Sequence, residues 1–179
     1  EEIFDNAPTS THVGIELEAR RRDLLPGLSL SSNISYGSAT LGNYSIEYTS
    51  VDENWNPSVT TINLKGNKIA RFPDLIFYGR ATYIYSFLTT SLHVQHVGQQ
   101  FMDNREDDQA SLEAYTLLNA ALIAKLPVHG VGRVDFELRV INLLDLEYEP
   151  FGIVDVEYGT PYYVPAAGRR FLAGVNLNL

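Results

Sequence analysis

The chain has 179 residues, 45% of them apolar, with 13 Lys and Arg against 22 Asp and Glu for a formal net charge of -9, and no Cys. That size suits one domain or part of a larger one, and the lack of Cys excludes disulfides, thiolate zinc sites and thiol nucleophiles. The acidic balance argues against nucleic acid as a partner: gripping phosphates needs Lys and Arg gathered on one face, and the nearest candidate is only Arg20-Arg21-Arg22.

The start, Glu1-Glu2-Ile3-Phe4-Asp5, carries neither an initiator Met nor a basic, apolar leader, and reads as a beginning in mid-protein or after processing. Residues 13–20 place Val13, Ile15, Leu17 and Ala19 on one side of an extended chain and Gly14, Glu16, Glu18 and Arg20 on the other. This period of two is the mark of a strand. Leu28, Leu30, Ile34 and Tyr36 alternate in the same way with Ser29, Ser31, Asn33, Ser35 and Gly37. Less regular strands are predicted over 75–85, 92–101 and 115–125. The clearest alternation lies in 131–142, where Val134, Phe136, Leu138 and Val140 interleave with Arg133, Asp135, Glu137 and Arg139. A last strand over 171–179 sets Phe171, Ala173, Val175, Leu177 and Leu179 against Leu172, Gly174, Asn176 and Asn178.

Seven strands are therefore predicted, joined alternately by short and long connections. The joins near 23–27, 86–90 and 126–130 are short and rich in Pro, Gly, Ser or Thr, as tight turns require. Those near 45–72, 102–112 and 144–167 are longer and polar, with Asp52-Glu53, the run Asp103 to Asp108 and Asp155-Val156-Glu157. Long joins on one side and short ones on the other are the asymmetry of a transmembrane β-barrel. A soluble sandwich also alternates. The barrel is favoured because Tyr36, Phe77, Tyr83, Tyr85, Phe101, Tyr115, Tyr148 and Tyr163 lie near predicted strand ends or in the adjoining loops, where a bilayer interface holds aromatic rings. The longest apolar run, Ala120 to Ala124, is far short of the roughly 18 residues of a membrane-crossing helix.

The order of landmarks adds a resemblance. Gly14-Ile15-Glu16-Leu17-Glu18, then Val97-Gly98-Gln99-Gln100-Phe101-Met102-Asp103-Asn104, Tyr115-Thr116-Leu117-Leu118-Asn119, Val140-Ile141-Asn142-Leu143-Leu144-Asp145 with Tyr148, and Gly168-Arg169-Arg170-Phe171 near the end together resemble the C-terminal part of a TonB-dependent outer-membrane receptor. The resemblance covers nearly the whole chain and is silent on the ligand. It implies an all-β, antiparallel segment of a barrel of about 22 strands. Residues 1–179 would form its C-terminal portion, in the bacterial outer membrane, with the plug domain and the TonB-contacting segment lying outside the chain. The implied partners are outer-membrane lipid, the remaining barrel and plug, TonB, and the outer-membrane assembly machinery. The ligand would be an iron chelate, cobalamin or a carbohydrate, taken up with energy from the inner membrane. Gly174, Leu177 and Leu179 resemble the terminal assembly signal, although an aromatic is commoner at the last position. The alternative is a complete eight-stranded barrel with a structural or adhesive role, Glu1 to Asn6 being the stub of the eighth strand.

No residue set points to an enzyme, a cofactor or a metal. His93 and His96, three apart, fall on opposite faces of a strand and cannot easily share one ion. Ser91 and His93 share a face but have no third member for a hydrolytic triad. Glu16, Glu18, Arg80, Arg133, Asp135, Glu137 and Arg139 are expected to face a wet lumen, since a charge at the lipid midplane is costly, and to pair with one another across strands. Asn142 and Asp145, where a strand yields to a loop, suit capping of free backbone donors. Candidate ligand contacts lie in the long joins: Trp55, with Tyr48, Lys65 and Lys68 nearby, and Asp103, Asn104, Arg105, Asp107 and Asp108. With Glu106 this last loop has a composition able to hold calcium, but it lacks the spacing and central Gly of a calcium hand, so a solvated acidic loop is favoured.

Overall fold

The computed structural model describes residues 7, 9–51, 55–130, 132–155 and 159–178, without the side chains of 48–51. The predicted features at Glu1 to Asn6, Asp52-Glu53, Val156-Glu157, Leu179 and the Tyr48 side chain lie outside the described residues. In chain order the strands are β1 (Ser10–Leu25), β2 (Leu28–Leu41), β3 (Ser45–Val51), β4 (Pro57–Asn63), β5 (Leu75–Tyr85), β6 (Leu88–Val97), β7 (Gln100–Phe101), β8 (Ser111–Leu112), β9 (Tyr115–Val128), β10 (Gly132–Ile141), β11 (Phe151–Val154), β12 (Pro161–Val164) and β13 (Arg170–Asn178). The long ones build a seven-stranded antiparallel sheet in the order β1-β2-β5-β6-β9-β10-β13. Each strand thus pairs with its neighbours in the meander. The sheet is open among the described residues: β1 pairs only with β2 and β13 only with β10. The first-to-last pairing that a complete eight-stranded barrel requires is not present among them.

The three turns at one end are as tight as their composition suggests. Leu25 pairs with Leu28 across Pro26-Gly27, where Gly27 has φ +80 and a Cβ would fall 2.3 Å from the Ile84 carbonyl oxygen. Only glycine fits there. At the other end each long join carries a two-stranded hairpin: β3–β4 and β11–β12, both expected as loop, and β7–β8, of which β7 falls at the end of the predicted strand 92–101 and only β8 in the expected loop. The boundaries of β6 also differ, running from Leu88 to Val97 rather than 92–101. Thr89, Thr90 and Ser91 look like turn residues, yet they pair with Ile84, Tyr83 and Thr82. At the far end Gly98 leaves the ladder by donating to the Leu75 carbonyl at 2.8 Å, which sends Phe101 into β7.

Cross-strand partners share a face, so register carries the two-sided pattern through the whole sheet. On one face Glu18 meets Asn33, then Tyr78, then Gln95; the next rung aligns Arg20, Ser31, Arg80, His93 and Asn119. Arg133, Asp135, Glu137 and Arg139 continue it through the pairing of Arg139 with Ala121. The opposite face aligns Leu28, Tyr83, Thr90, Leu122, Leu138 and Ala173. Tyr36, Phe77, Tyr83 and Tyr85 stand on this apolar face, with the last two stacked at 6.5 Å. Tyr115 does not: it shares the polar face with Asn119, and its ring lies 4.5 Å from Tyr148. Phe101 and Tyr163 belong to the short hairpins, so the aromatic girdle is narrower than the sequence suggested.

The sheet buries little on either side. The buried apolar residues Ala39, Leu41, Leu64, Val97, Met102, Ala110, Leu112 and Leu117 all lie at the long-loop end. There the joins fold together into a cap with its own small core. Gly152 of β11 approaches Met102 so closely that a Cβ would sit 2.6 Å from Cε.

Candidate functional site

Two surfaces hold the chemistry: the polar face of the sheet and the outside of the cap. Among the described residues, the ion pairs of the polar face form along strands, not across them as expected. Arg133 Nε lies 2.7 Å from Asp135, Arg139 Nε 2.6 Å from Glu137, and Arg20 pairs with Glu18. Residues two apart point the same way in a strand, so each pair forms locally. For Glu137 and Arg139 the cross-strand neighbours explain the difference, since Glu137 opposes Ile123 and Gly174 while Arg139 opposes Ala121 and Leu172. Asp135 stands opposite Lys125, yet its carboxylate takes Arg133 along the strand and accepts from Asn178 Nδ2 at 3.3 Å across it. Arg80 donates to Thr82 Oγ1 at 3.2 Å and stands opposite His93. All seven predicted charged residues, Glu16, Glu18, Arg80, Arg133, Asp135, Glu137 and Arg139, occupy this one face.

The two histidines part as alternation requires. His93 faces Arg80 and Asn119 on the polar side, whereas His96 on the other side lies 2.9 Å from Thr116 Oγ1. The Ser91 hydroxyl is 3.3 Å from Thr82 Oγ1 and makes no hydrogen bond to His93 among the described residues.

In the cap, the acidic loop is turned largely onto its own protein. Asp103 accepts from the Arg105 backbone N–H at 2.9 Å and from its guanidinium at 2.6 Å. Asn104 accepts from the Ala70 N–H through Oδ1 and from Asn67 Nδ2 through its carbonyl. Glu106 accepts from the Lys68 N–H, and Asp107 caps the single 3-10 turn of 108–110 by accepting from the Gln109 N–H. These oxygens serve separate donors and do not converge. Asp107 and Asp108 remain exposed. Trp55, at the tip between β3 and β4, is 84% exposed and has φ +64, a conformation in which a bulky residue is a genuine outlier.

Asn142 is the cap's polar centre. Only 2% exposed, with φ +55, it accepts from the Leu146 N–H and donates to the Leu146 carbonyl, while its own N–H donates to Asn119 Oδ1. Asp145 Oδ1 accepts from the Arg169 N–H at 2.7 Å. Both side chains cap backbone groups, as their place in the sequence suggests. Sequence reasoning missed Arg71, whose guanidinium lies 4.8 Å over the Phe151 ring, and the outward row Phe151, Ile153, Tyr162 and Val164 on the β11–β12 hairpin. The β-branched and aromatic residues of 151–154 and 161–164 were the signal that marks them as strands.

No protein-family profile matches the chain, nor does any curated protein. Solved structures do match. The siderophore receptor PiuA from Acinetobacter baumannii aligns with TM-score 0.71 and 20% identity over 94% of this chain and 22% of its own. The ferric yersiniabactin uptake receptor FyuA from Yersinia pestis gives 0.67 and 20% over 93% of this chain and 23% of its own. The ferric citrate transporter FecA gives 0.69 and 17% over 93% and 24%. The chain thus spans less than a quarter of the length of each, and its fold is that of a section of their barrel wall. The expected fold class is the observed one, and the landmark resemblance points to the same barrels.

Proposed function

We propose that this chain is the C-terminal portion of the barrel of a TonB-dependent outer-membrane receptor, and that the complete protein takes up a ferric chelate. The observation that carries this reading is the open sheet, whose faces differ in chemistry rung by rung across seven strands and whose fold matches receptor barrels. The apolar face meets lipid and the charged face lines the lumen, because each charge placed at the bilayer midplane would cost about 2 to 4 kcal/mol for Arg and less for Glu. The short turns then lie at the periplasmic side and the cap at the cell surface. The plug and the TonB-contacting segment belong to the rest of the protein. Ferric chelates are favoured over cobalamin or carbohydrate because the matching structures are named for siderophore, ferric yersiniabactin and ferric citrate uptake. Trp55, Asp107 and Asp108 are the capture residues at the surface, with Asp103, Asn104 and Arg105 holding their loop in shape. Gly174 and Leu177 form part of the signal for assembly. Deletion of the complete gene in its host tests the reading. Radio-iron uptake from ferric chelates should fall and should depend on the proton gradient; loss of cobalamin uptake with iron uptake intact would overturn the ligand class.

A further inference from the structure

The apolar face of the sheet contains a hollow. Across β1, β2 and β5 the small residues Ala19, Ser32, Gly79 and Ala81 form its floor, and Leu24, Leu30 and Leu92 help to wall a cavity of about 570 Å³. Phe77 and Val94 lean over Gly79, where a Cβ would lie 2.8 Å from Val94 Cγ1 and 3.1 Å from Phe77 Cζ. On this face the lining is apolar apart from the small Ser32 hydroxyl in the floor and a single charge. Arg20 and Arg80 also border the hollow, but alternation assigns them to the opposite side; Arg21 belongs to the apolar face itself.

Arg21 occupies the rung Arg21, Leu30, Ala81, Leu92. The next rung towards the turns holds Tyr83, so Arg21 stands roughly 7 Å inside the turn-side aromatics, on the side of the membrane core. A guanidinium in that position asks for an anion. Water is excluded by the bilayer, and the hollow it borders is shaped for hydrocarbon. The chemistry that meets both demands is a phosphate carried on acyl chains, since guanidinium pairs with phosphate through parallel hydrogen bonds and its stem packs on apolar surface.

We propose that this hollow binds one anionic glycerophospholipid of the periplasmic leaflet, with an acyl chain over Ala19, Ser32, Gly79 and Ala81 and the phosphate on Arg21. The assignment rests on the reading above, in which the apolar face meets lipid and the short turns face the periplasm. A zwitterionic headgroup carries its own cation, which competes with Arg21 for the phosphate, so phosphatidylglycerol binds ahead of phosphatidylethanolamine.

The test uses the complete, purified receptor, stripped of lipid and titrated with phosphatidylglycerol while bound lipid is counted by native mass spectrometry. Arg21→Gln should weaken binding about ten-fold, the loss expected for one charge-assisted pair. Arg21→Lys, which keeps the charge and loses the parallel pair, should fall between Arg21→Gln and the wild type, and Ala81→Leu, which fills the hollow and leaves the charge, should weaken phosphatidylglycerol and phosphatidylethanolamine alike. Inorganic phosphate should not compete; competition by it would make Arg21 a free-anion site and overturn the lipid assignment. Wild-type affinity in both Arg21→Gln and Ala81→Leu would also overturn it. A nitroxide placed at Leu92 separates the two levels of the argument. Relaxation by oxygen keeps the lipid-facing reading whatever the titration gives, whereas relaxation by a water-soluble nickel chelate would remove that reading and the lipid site with it.

Discussion

In the sheet, Leu92 and Phe136, on strands paired along both edges, keep 45% and 48% of their surface exposed, while in the cap Leu64 falls to 2%. The two regions therefore solve the same problem differently. The cap excludes water with its own side chains and has a core in the ordinary sense. The wall has none, and its stability must come from strand pairing and from what lies against its faces. In the receptor barrel proposed above, what looks like a deficit in the sheet is the requirement of a wall between lipid and lumen.

The comparison can be broken from either side, and the cap gives the larger effect. Leu64→Ala should cost about 2 to 5 kcal/mol locally, because a buried side chain is lost and the cavity fills only partly. Its consequence should stay in the cap: loop cleavage by added protease on whole cells rises, while the folded barrel, read by its heat-modifiable electrophoretic mobility, is retained. Loss of the folded barrel as well would show that cap and wall are one cooperative unit. In the wall, Phe136→Arg should lower the folded barrel recovered from the membrane, since Arg on the lipid face costs about 2 to 4 kcal/mol near the midplane. Glu137→Gln on the neighbouring residue should leave recovery nearly unchanged, and equal recovery of the two variants would sink the assignment of faces.

The same contrast explains what the sequence disclosed. Where a strand separates two environments, every second residue must answer to each, and the pattern at Val134, Phe136, Leu138 and Val140 could be read without a structure. So could the parting of His93 from His96. In the cap the environment changes from residue to residue. Glu106 meets the Lys68 backbone, Asn104 meets Ala70 and Arg71 covers Phe151, each across long stretches of chain. Such contacts have no period, and the acidic run read as solvated proved partly internal. The hairpins were missed because polar residues interrupt their alternation, although Val59, Thr60, Thr61 and Ile62 carry the β-branched composition of a strand.

Trp55 gives the smallest effect on folding and the sharpest distinction. A side chain 84% exposed contributes little to packing, so Trp55→Ala should change stability by no more than about 0.5 kcal/mol. Its positive φ adds a second handle. Glycine adopts that conformation without strain, so Trp55→Gly should hold the β3–β4 tip at least as firmly as the tryptophan does. A residue kept for structure would then be replaced by Gly without consequence. A residue kept for capture would not: both variants should lose surface binding of the ferric chelate by about five-fold or more, as truncation of an aromatic anchor does where it is buried on a partner. The measurement is chelate binding to whole cells at matched receptor abundance. Weaker binding by Ala and Gly alike, with the folded barrel unchanged, assigns Trp55 to the capture surface. Normal binding by both would remove it from that surface and leave the wall, whose alternation does not depend on it, as it stands.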